Sequence, residues 1–193
     1  MKSMPAFYFD VGGVLIADNF APHNALRTFQ KLSKRRFDPA VAYATYLQIQ
    51  PALDLGTMSF DEFCAHIGAS PIEFVPDWLA MHPVDPAVLE VIEHLLAAGH
   101  PVGLATNFCR TLLNLLIEND PVLSRLEVCC SSDIGLVKPS QEFFHHASRM
   151  VPAEEIVFVD DREVNIQAAS AFGWTAIHAT QGWLSKFKDT YIQ

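Results

Sequence analysis

Four short apolar segments of the chain each lead into polar residues whose side chains suit phosphate or metal chemistry. The first leads into Asp10, the second into Thr106 and Asn107, the third into Lys138 in "GLVKPS", and the fourth into Asp160 and Asp161 in "FVDDREVN". A carboxylate can act as a nucleophile, and neighbouring carboxylates are ligands that Mg²⁺ prefers. A lysine and a hydroxyl can stabilise the charge of a phosphoryl group during its transfer. The set therefore indicates phosphoryl transfer.

Each of these side chains has an ordinary role when it is considered alone, since an Asp or Thr after a strand is often a helix cap. As an ordered set they predict complementary roles. Asp10 is the predicted nucleophile, which would form an aspartyl-phosphate, while Lys138 and the Thr106 hydroxyl would bind the phosphoryl group. The acidic pair that follows the fourth segment would hold Mg²⁺. Gly12 and Gly13 would let the backbone turn sharply and approach the metal and the phosphate closely.

These residues can meet only if the apolar segments are neighbouring strands of one sheet. The segments are short and fully apolar, which is typical of strands buried on both faces. A fifth such segment, "WTAIHA", follows Gly173, and helical patterns occupy the intervals Pro86–Ala98, Arg110–Asn119, Gln141–Met150 and Glu163–Phe172. This alternation predicts an α/β fold with a Rossmann-like doubly wound parallel sheet. The carboxyl ends of its strands would bring the polar residues together.

The interval from residue 18 to residue 84 departs from this alternation because it contains helical patterns only. Helices are predicted at Pro22–Ser33, Pro39–Gln50, Ser59–Ile67 and Ile72–Met81, with "DLGTMS" as a turn between the second and the third. Inserted after the first strand, they would lie beyond its carboxyl end, where open α/β sheets bind ligands. We therefore predict a small all-helical cap, residues 18–84, over a catalytic core of residues 1–17 and 85–193.

Composition argues against several classes of partner. The formal net charge is −9 and no basic run is longer than "KRR", so no nucleic-acid partner is expected. No stretch reaches the roughly 18 uncharged apolar residues of a membrane span, so no membrane partner is expected either. The four cysteines form no C-x-x-C pair, which favours reduced thiols and, without a recognisable signal peptide, a cytoplasmic protein. The oligomeric state cannot be predicted from these patterns.

Over essentially the whole chain, the sequence resembles the haloacid dehalogenase-like hydrolases. Their four motifs are matched in order by "FDVGGVL", "LATN", "GLVKPSQEFF" and "VFVDDREVNIQAA", and the helical insertion resembles the family's cap. The resemblance implies that Asp10 is the nucleophile, that Thr106 supplies the phosphate-binding hydroxyl and that Lys138 is the motif lysine. It also implies a Mg²⁺ site, with Asn107 and Asn165 in supporting roles. The implied Mg²⁺ ligands are Asp10, the Gly12 carbonyl, Asp160 and Asp161.

Gly12 is the main departure from the family's pattern. Most phosphatases of the family carry a second Asp there, which protonates the leaving group and later activates water. General acid–base catalysis is typically worth about 10²–10⁴-fold, so its loss is damaging but need not be fatal. A branch of the family with glycine in this motif includes phosphatases of sugar phosphates such as glucose 1-phosphate, whose leaving group needs less protonation. The resemblance thus implies a phosphatase acting on a small phosphorylated metabolite such as a sugar phosphate.

Two alternatives stay open at this level. A catalytically weak or inactive member that serves as a binding or regulatory protein would also explain Gly12. Dehalogenases of the family are disfavoured, because they carry a Tyr at this position and lack the metal-binding acid pair. In an active enzyme, Asp18 or His23 could replace the missing acid, although a solvated acid and a helix-start histidine are the more ordinary roles. Tyr46, Phe74 and Trp78 could line the substrate face of the cap, although aromatic residues of a small bundle more often form its core.

Overall fold

The computed structural model describes residues 4–18, 22–34, 36–151 and 153–192. Five strands form one parallel sheet in the order β3-β2-β1-β4-β5. They are β1 (Ala6–Phe9), β2 (Val102–Thr106), β3 (Glu127–Cys130), β4 (Ile156–Asp160) and β5 (Thr175–His178). The prediction of a Rossmann-like α/β sheet is confirmed. β1 lies in the centre between β2 and β4, so the residues at these three carboxyl ends are neighbours.

Ten α-helices surround and extend the sheet within the described part of the chain. They are α1 (Pro22–Ser33), α2 (Pro39–Asp54), α3 (Phe60–His66), α4 (Pro71–Met81), α5 (Pro86–Ala97), α6 (Arg110–Glu118), α7 (Ser131–Ile134), α8 (Gln141–Ser148), α9 (Glu163–Phe172) and α10 (Trp183–Tyr191). A 3₁₀ turn at Leu123–Arg125, α7 and α10 were not predicted. The first two are too short for a periodic pattern to stand out.

The alternating side chains of β1 divide the core into two layers, as a sheet covered on both faces requires. Phe7 and Phe9 belong to the layer that contains buried residues of α5, α6 and α10. Tyr8 points to the opposite layer, formed with α8 and α9, and its hydroxyl donates a hydrogen bond to the Ala147 carbonyl at 3.0 Å. Gly103 on β2 is required here, because a Cβ would lie 2.6 Å from the Tyr8 ring.

Helices α1–α4 follow β1 and pack against one another, and no strand lies among the described residues of this interval. A capping box begins α3: the Ser59 hydroxyl accepts from the Glu62 amide at 3.2 Å, and Glu62 accepts from the Ser59 amide at 2.8 Å. The division into core and cap at residues 18 and 84 stays a prediction. None of the described helices is both long and apolar enough to cross a membrane.

The end of α2 corrects the sequence-based boundary in a place that matters for the site. The predicted helix stopped at Gln50, before Pro51, but α2 continues to Asp54. Pro51 lacks an amide hydrogen, yet its carbonyl still accepts from the Leu55 amide at 3.1 Å, so the last turn remains closed. The extra turn carries Asp54 to the core, where its carbonyl accepts a hydrogen bond from the Ser131 hydroxyl at 2.6 Å.

Candidate active site

The polar residues predicted from the strand ends lie together at the carboxyl edge of the sheet. Asp10 directly follows β1, Thr106 is the last residue of β2, and Asp160 is the last residue of β4. One carboxylate oxygen from each of Asp10, Asp160 and Asp161 lies within 4.8 Å of the other two. Because β1 and β4 are adjacent, the residues at their carboxyl ends supply all three acids of this cluster.

Lys138 places a buried positive charge beside these acids. Its Nζ lies 3.1 Å from Asp10 Oδ1 and donates to Asp160 Oδ2 at 2.6 Å and to the Ala105 carbonyl at 2.8 Å. Burial lowers the pKa of Lys138, but the two carboxylates outweigh that effect and hold the pKa above its ordinary value. The ammonium is therefore charged and fully partnered, and it links the ends of β1, β2 and β4.

Two asparagines hold the charged groups in place, which fits the supporting roles that the resemblance implied. Asn107 makes a reciprocal pair with the Lys138 backbone: its Nδ2 donates to the carbonyl at 2.9 Å, and its Oδ1 accepts from the amide at 2.8 Å. Asn165, in the first turn of α9, donates from Nδ2 to both Asp160 oxygens at 3.0 Å. The Arg162 amide also donates to Asp160 Oδ1 at 2.8 Å. These donors hold the Asp160 carboxylate in one orientation.

Asp10 is a buried carboxylate with its own orienting contact. The Val11 amide donates to Oδ1 at 2.7 Å. Burial raises the pKa of Asp10 to about 7, Lys138 opposes this rise, and the charge of Asp160 adds to it. Burial, followed by the charge of Asp160, likewise raises the pKa of Asp161 to about 6. A positive charge brought to this cluster would therefore be strongly favoured.

The Thr106 hydroxyl is the neighbour of Asp10 that has spare hydrogen-bonding capacity. It is close enough to lower the pKa of Asp10, yet its Oγ1 is buried and has no partner in hydrogen-bonding geometry among the described residues. Buried hydroxyls without a partner are uncommon in proteins. Thr106 does not line the cavity described below. Its predicted role as a phosphate-binding residue stays a prediction.

Gly12 and Gly13 differ in what their backbones require. Gly13 has φ of +73°, and a Cβ there would lie 2.2 Å from Asp161 Oδ2, so the chain needs glycine to let this carboxylate approach. Gly12 lies outside the left-handed region, and a Cβ there would meet nothing within 4 Å. The space that an acidic side chain would occupy at position 12 is therefore open.

A cavity of about 420 Å³ lies between the sheet edge and helices α2–α4. Its lining from the sheet side includes Asp10, Gly12, Asn107, Phe108, Lys138, Asp161, Arg162 and Asn165. Its lining from α2–α4 includes Tyr46, Gln50, Leu53, Asp54, Phe60, Phe63, Phe74 and Trp78. The volume falls within the roughly 300–1,000 Å³ of small-molecule sites. Tyr46, Phe74 and Trp78 thus line the cavity as well as packing in the helical bundle.

Of the two residues considered as replacements for the missing acid, Asp18 has a described side chain and His23 does not. Asp18 lines the cavity, and its charge raises the pKa of Asp161. The His23 side chain lies outside the described residues. His145 and His146, which show no ligand spacing, are exposed on α8.

Sequence reasoning missed two charged residues that line the cavity, Asp54 and Arg162. Burial raises the pKa of Asp54 to about 6, against the opposing charges of Arg162 and Lys138. Arg162 stands next to the predicted acidic pair in "VDDREVN", which could have drawn attention to it. Asp54 opens the segment "DLGTMS", but nothing in that segment indicates that it reaches the sheet edge.

The donor set fits the magnesium ion that the resemblance implies. Asp10, Asp160 and Asp161 offer hard oxygen ligands on one side of the cavity, which is the chemistry that Mg²⁺ prefers. Two of them carry raised pKa values because burial and neighbouring negative charge oppose their ionisation, and a divalent cation would stabilise their ionised forms.

Comparisons with solved structures show the same fold at low sequence identity. A variant of a HAD family enzyme from Bacteroides thetaiotaomicron, in complex with magnesium and inorganic phosphate, has a TM-score of 0.74 at 18% identity, covering 95% of this chain and 99% of that one. A HAD phosphatase from Thermococcus onnurineus has a TM-score of 0.69 at 18% identity, covering 97% of both chains. A dehalogenase has a TM-score of 0.64 at 16% identity, covering 100% of this chain and 99% of that one.

Sequence comparison places the chain in a family. No curated protein matches it. The family model described as haloacid dehalogenase-like hydrolase matches residues 4–173, which include every predicted site residue from Asp10 to Asn165. The chain belongs to the haloacid dehalogenase-like hydrolases.

Proposed function

We propose that the protein is a Mg²⁺-dependent phosphatase that hydrolyses a small phosphorylated metabolite through an aspartyl-phosphate on Asp10. The observation that carries the proposal is the buried Asp10 carboxylate, which faces a cavity beside two further carboxylates and a charged lysine. Two similar structures add support: one enzyme holds magnesium and inorganic phosphate, and another is a phosphatase.

In the first step, Asp10 attacks phosphorus, and the bond between phosphorus and the leaving-group oxygen breaks. Lys138 contacts Asp10 and lines the same cavity, so it can stabilise negative charge on the transferring phosphoryl group. We assign the unpartnered Thr106 hydroxyl a second donor role toward that group. In the second step, water attacks the aspartyl-phosphate and restores the Asp10 carboxylate.

Asp10, Asp160, Asp161 and the Gly12 carbonyl would hold Mg²⁺, although the role of the carbonyl rests on the resemblance alone. When bound, the ion supplies positive charge that reduces repulsion between the anionic nucleophile and the anionic substrate. Asn165 holds Asp160 in position through both of its carboxylate oxygens. Asn107 does the same for the backbone of Lys138.

Both steps need a proton carrier that Gly12 cannot supply. Asp18 and Asp54 are the carboxylates of the cavity lining that stand outside the acidic cluster, among the described residues. A group that donates and then accepts a proton near neutral pH works best when its pKa is near that pH. Burial raises the pKa of Asp54 to about 6, which favours Asp54 as the carrier. Asp18 and His23 remain the alternatives that the sequence suggested.

A sugar phosphate is the substrate class implied by the resemblance, and it remains a proposal. Gln50, Asp18 and Asp54 line the cavity and could bind sugar hydroxyls.

Gly12 favours the competing proposal of a weak or inactive binding protein, because it removes the usual acid. The intact set of Asp10, Lys138 and the acidic pair favours the enzyme. A cytoplasmic location likewise remains a proposal.

A screen of phosphorylated metabolites with Mg²⁺, and with a chelator instead, tests the proposal. We expect phosphate release that requires Mg²⁺ and is lost in Asp10→Asn, which is nearly isosteric but removes the nucleophilic charge. Thermal melting of both proteins shows whether the variant is folded. Phosphate release by folded Asp10→Asn at the wild-type rate would contradict the mechanism. Phosphate binding without turnover of any ester would favour the binding protein.

A further inference from the structure

The last turn of α2 is capped by a side chain from another part of the fold. The final carbonyls of an α-helix have no donor within the helix, so they need partners from outside it. The carbonyls of Pro51, Ala52 and Leu53 accept from backbone amides that directly follow α2 in the chain. The carbonyl of Asp54, the last residue of the helix, accepts instead from the Ser131 hydroxyl of α7 at 2.6 Å. The end of α2 is thus held by a residue 77 positions further along the chain.

A second contact brings the chain after α2 against α7. Gly56 has φ of +71°, and a Cβ there would lie 2.0 Å from the Ser132 carbonyl oxygen. Glycine permits both the left-handed conformation and this close approach. The close approach and the hydrogen bond together fix the end of α2 on α7. Both contacts lie next to or at Asp54, which lines the cavity.

Ser131 also contacts the loop that holds Lys138. Ser131 is fully buried, and besides donating to Asp54 its Oγ accepts from the Phe108 amide at 3.3 Å. A hydroxyl has one donor and two acceptor positions, so it can satisfy both contacts. The residue before Phe108 is Asn107, which pairs with the backbone of Lys138. Ser131 therefore joins the end of α2 to the loop that positions the lysine.

We propose that Ser131 is a positioning residue of the phosphatase and that it acts through Asp54. Its hydroxyl fixes the end of α2 relative to the loop after β2, and thereby places the Asp54 carboxyl within reach of the leaving-group oxygen. Ser131 does not itself line the cavity, so its effect on the reaction is indirect. This inference rests on the proposed phosphatase function and on Asp54 as its proton carrier.

The position of Asp54 matters because it would handle a proton in both steps. The Asp54 carboxyl gives its proton to the leaving-group oxygen as the bond from that oxygen to phosphorus breaks, and it takes a proton from the attacking water in the second step. Proton transfer needs the two heavy atoms within hydrogen-bonding distance. A displacement of about 1 Å can cost about 10²-fold in rate.

Kinetics on two substrates test whether Ser131 acts through Asp54. Ser131→Ala removes both hydrogen bonds, and we expect kcat/KM to fall about fivefold for an alkyl phosphate and less than about twofold for an activated aryl phosphate, which departs without protonation. In an Asp54→Asn background, Ser131→Ala should cause no further selective loss, because residues that act together are not additive. Equal losses on both substrates, or a full further loss in the double variant, would overturn the proposal.

Two further variants support this comparison. Ser132→Ala is the matched control, because this neighbouring hydroxyl accepts from the Arg110 amide at 3.1 Å and makes no hydrogen bond to the described residues of α2. It should change neither rate by more than about twofold. Ser131→Cys keeps a similar shape with only a weak donor, so it should show the same selective loss to a smaller extent. The cysteine variant carries the test if the alanine variant does not fold.

Amide hydrogen exchange tests the positioning without turnover. With the peptides followed by mass spectrometry, the last turn of α2 should exchange at least about tenfold faster in Ser131→Ala than in Ser132→Ala, whereas α9 should exchange equally in both. Unchanged exchange at the end of α2 would overturn the proposal. A wild type that hydrolyses no ester would refute the proposed function, and the exchange rates would still decide whether Ser131 holds Asp54 in place.

Discussion

The two sides of the cavity are held together by different kinds of interaction. On the sheet side, the charged groups are held by each other: Lys138 has three acceptors, and Asp160 accepts from Lys138, Asn165 and the Arg162 amide. On the cap side, rings border open space and the buried Trp78 donor has no partner among the described residues. The sheet side is therefore ordered by charged hydrogen bonds, whereas the cap side is ordered by the packing of its rings.

This difference indicates where the chemistry and the selectivity reside. A preorganised charged site acts on any phosphoryl group that reaches it, because its contacts do not depend on the alcohol. In the proposed mechanism, the cap side contacts only the alcohol part of the substrate. We therefore expect substitutions on the sheet side to affect all substrates and substitutions on the cap side to discriminate among them.

The largest effect is expected where the sheet side loses its positive charge. Lys138→Met would leave Asp10 and Asp160 buried without their counter-charge, and breaking a buried ion pair costs about 3–5 kcal/mol. Loss of a charge-stabilising donor would also lower kcat about 10²–10³-fold for every substrate.

Urea unfolding and initial rates on the same preparations check both effects. The matched control is Lys188→Met, whose ammonium pairs with Glu90 at 2.6 Å on the surface. It should change the free energy of unfolding by less than about 1 kcal/mol. A Lys138→Met variant as stable and active as this control would refute the preorganised site.

A smaller and substrate-dependent effect is expected for the proposed proton carrier. Asp54→Asn should lower kcat/KM more than about tenfold for an alkyl phosphate, and much less for an activated aryl phosphate, which departs without protonation. Asp18→Asn is the matched comparison, because Asp18 lines the same cavity. Equal losses on both substrates would assign Asp54 a positioning role, and a selective loss in Asp18→Asn alone would transfer the carrier role to Asp18.

Substitutions at the two adjacent glycines are expected to have opposite effects. Gly12→Asp would place a carboxylate in open space, so the variant should fold and raise turnover of an alkyl phosphate about tenfold. Gly13→Ala should instead destabilise the protein and weaken Mg²⁺ binding, because its Cβ would lie 2.2 Å from Asp161 Oδ2 at a positive φ. Melting temperatures and rates on alkyl and aryl phosphates separate the outcomes. A stably folded Gly12→Asp without gain would show that a missing proton donor is not the limitation.

A pH-dependent change in stability is expected at Asp54. Burial raises its pKa from 3.8 to about 6, against Arg162 and Lys138, and its charge in turn acts on Tyr46 and Cys109. A carboxyl whose pKa is raised by folding contributes stability below about pH 4, and this contribution is lost as the pH rises through about 6. Asp54→Asn should therefore stabilise the protein by about 1–3 kcal/mol at pH 8 and by little at pH 4. Denaturant titrations at the two pH values test this, and an equal change at both would contradict the raised pKa.

The contrast between the two sides also explains what sequence could predict. Asp10, Thr106 and Asp160 were identifiable because each stands at the end of an apolar strand, and parallel pairing brings such ends together whatever else the chain does. Asn107 and Asn165 were assigned supporting roles by resemblance, and their hydrogen bonds to Lys138 and Asp160 fit those roles.

The cap side was less accessible to prediction because its arrangement depends on how helices pack. Asp54 reaches the cavity only because α2 continues past Pro51 and its last turn is tied to Ser131, neither of which a local pattern indicates. The same limit applies to Trp78. Its apolar spacing predicts burial, but no sequence pattern reveals that its indole N–H has no hydrogen-bond acceptor among the described residues.

Binding of beryllium fluoride, which mimics a phosphoryl group on a carboxylate, tests the central claim of an aspartyl-phosphate at Asp10 most directly. Fluorine NMR should show a stoichiometric protein-bound species in the wild type with Mg²⁺, and no such species in folded Asp10→Asn or without the metal. The same bound species in Asp10→Asn would place the phosphoryl site on another residue and contradict the mechanism.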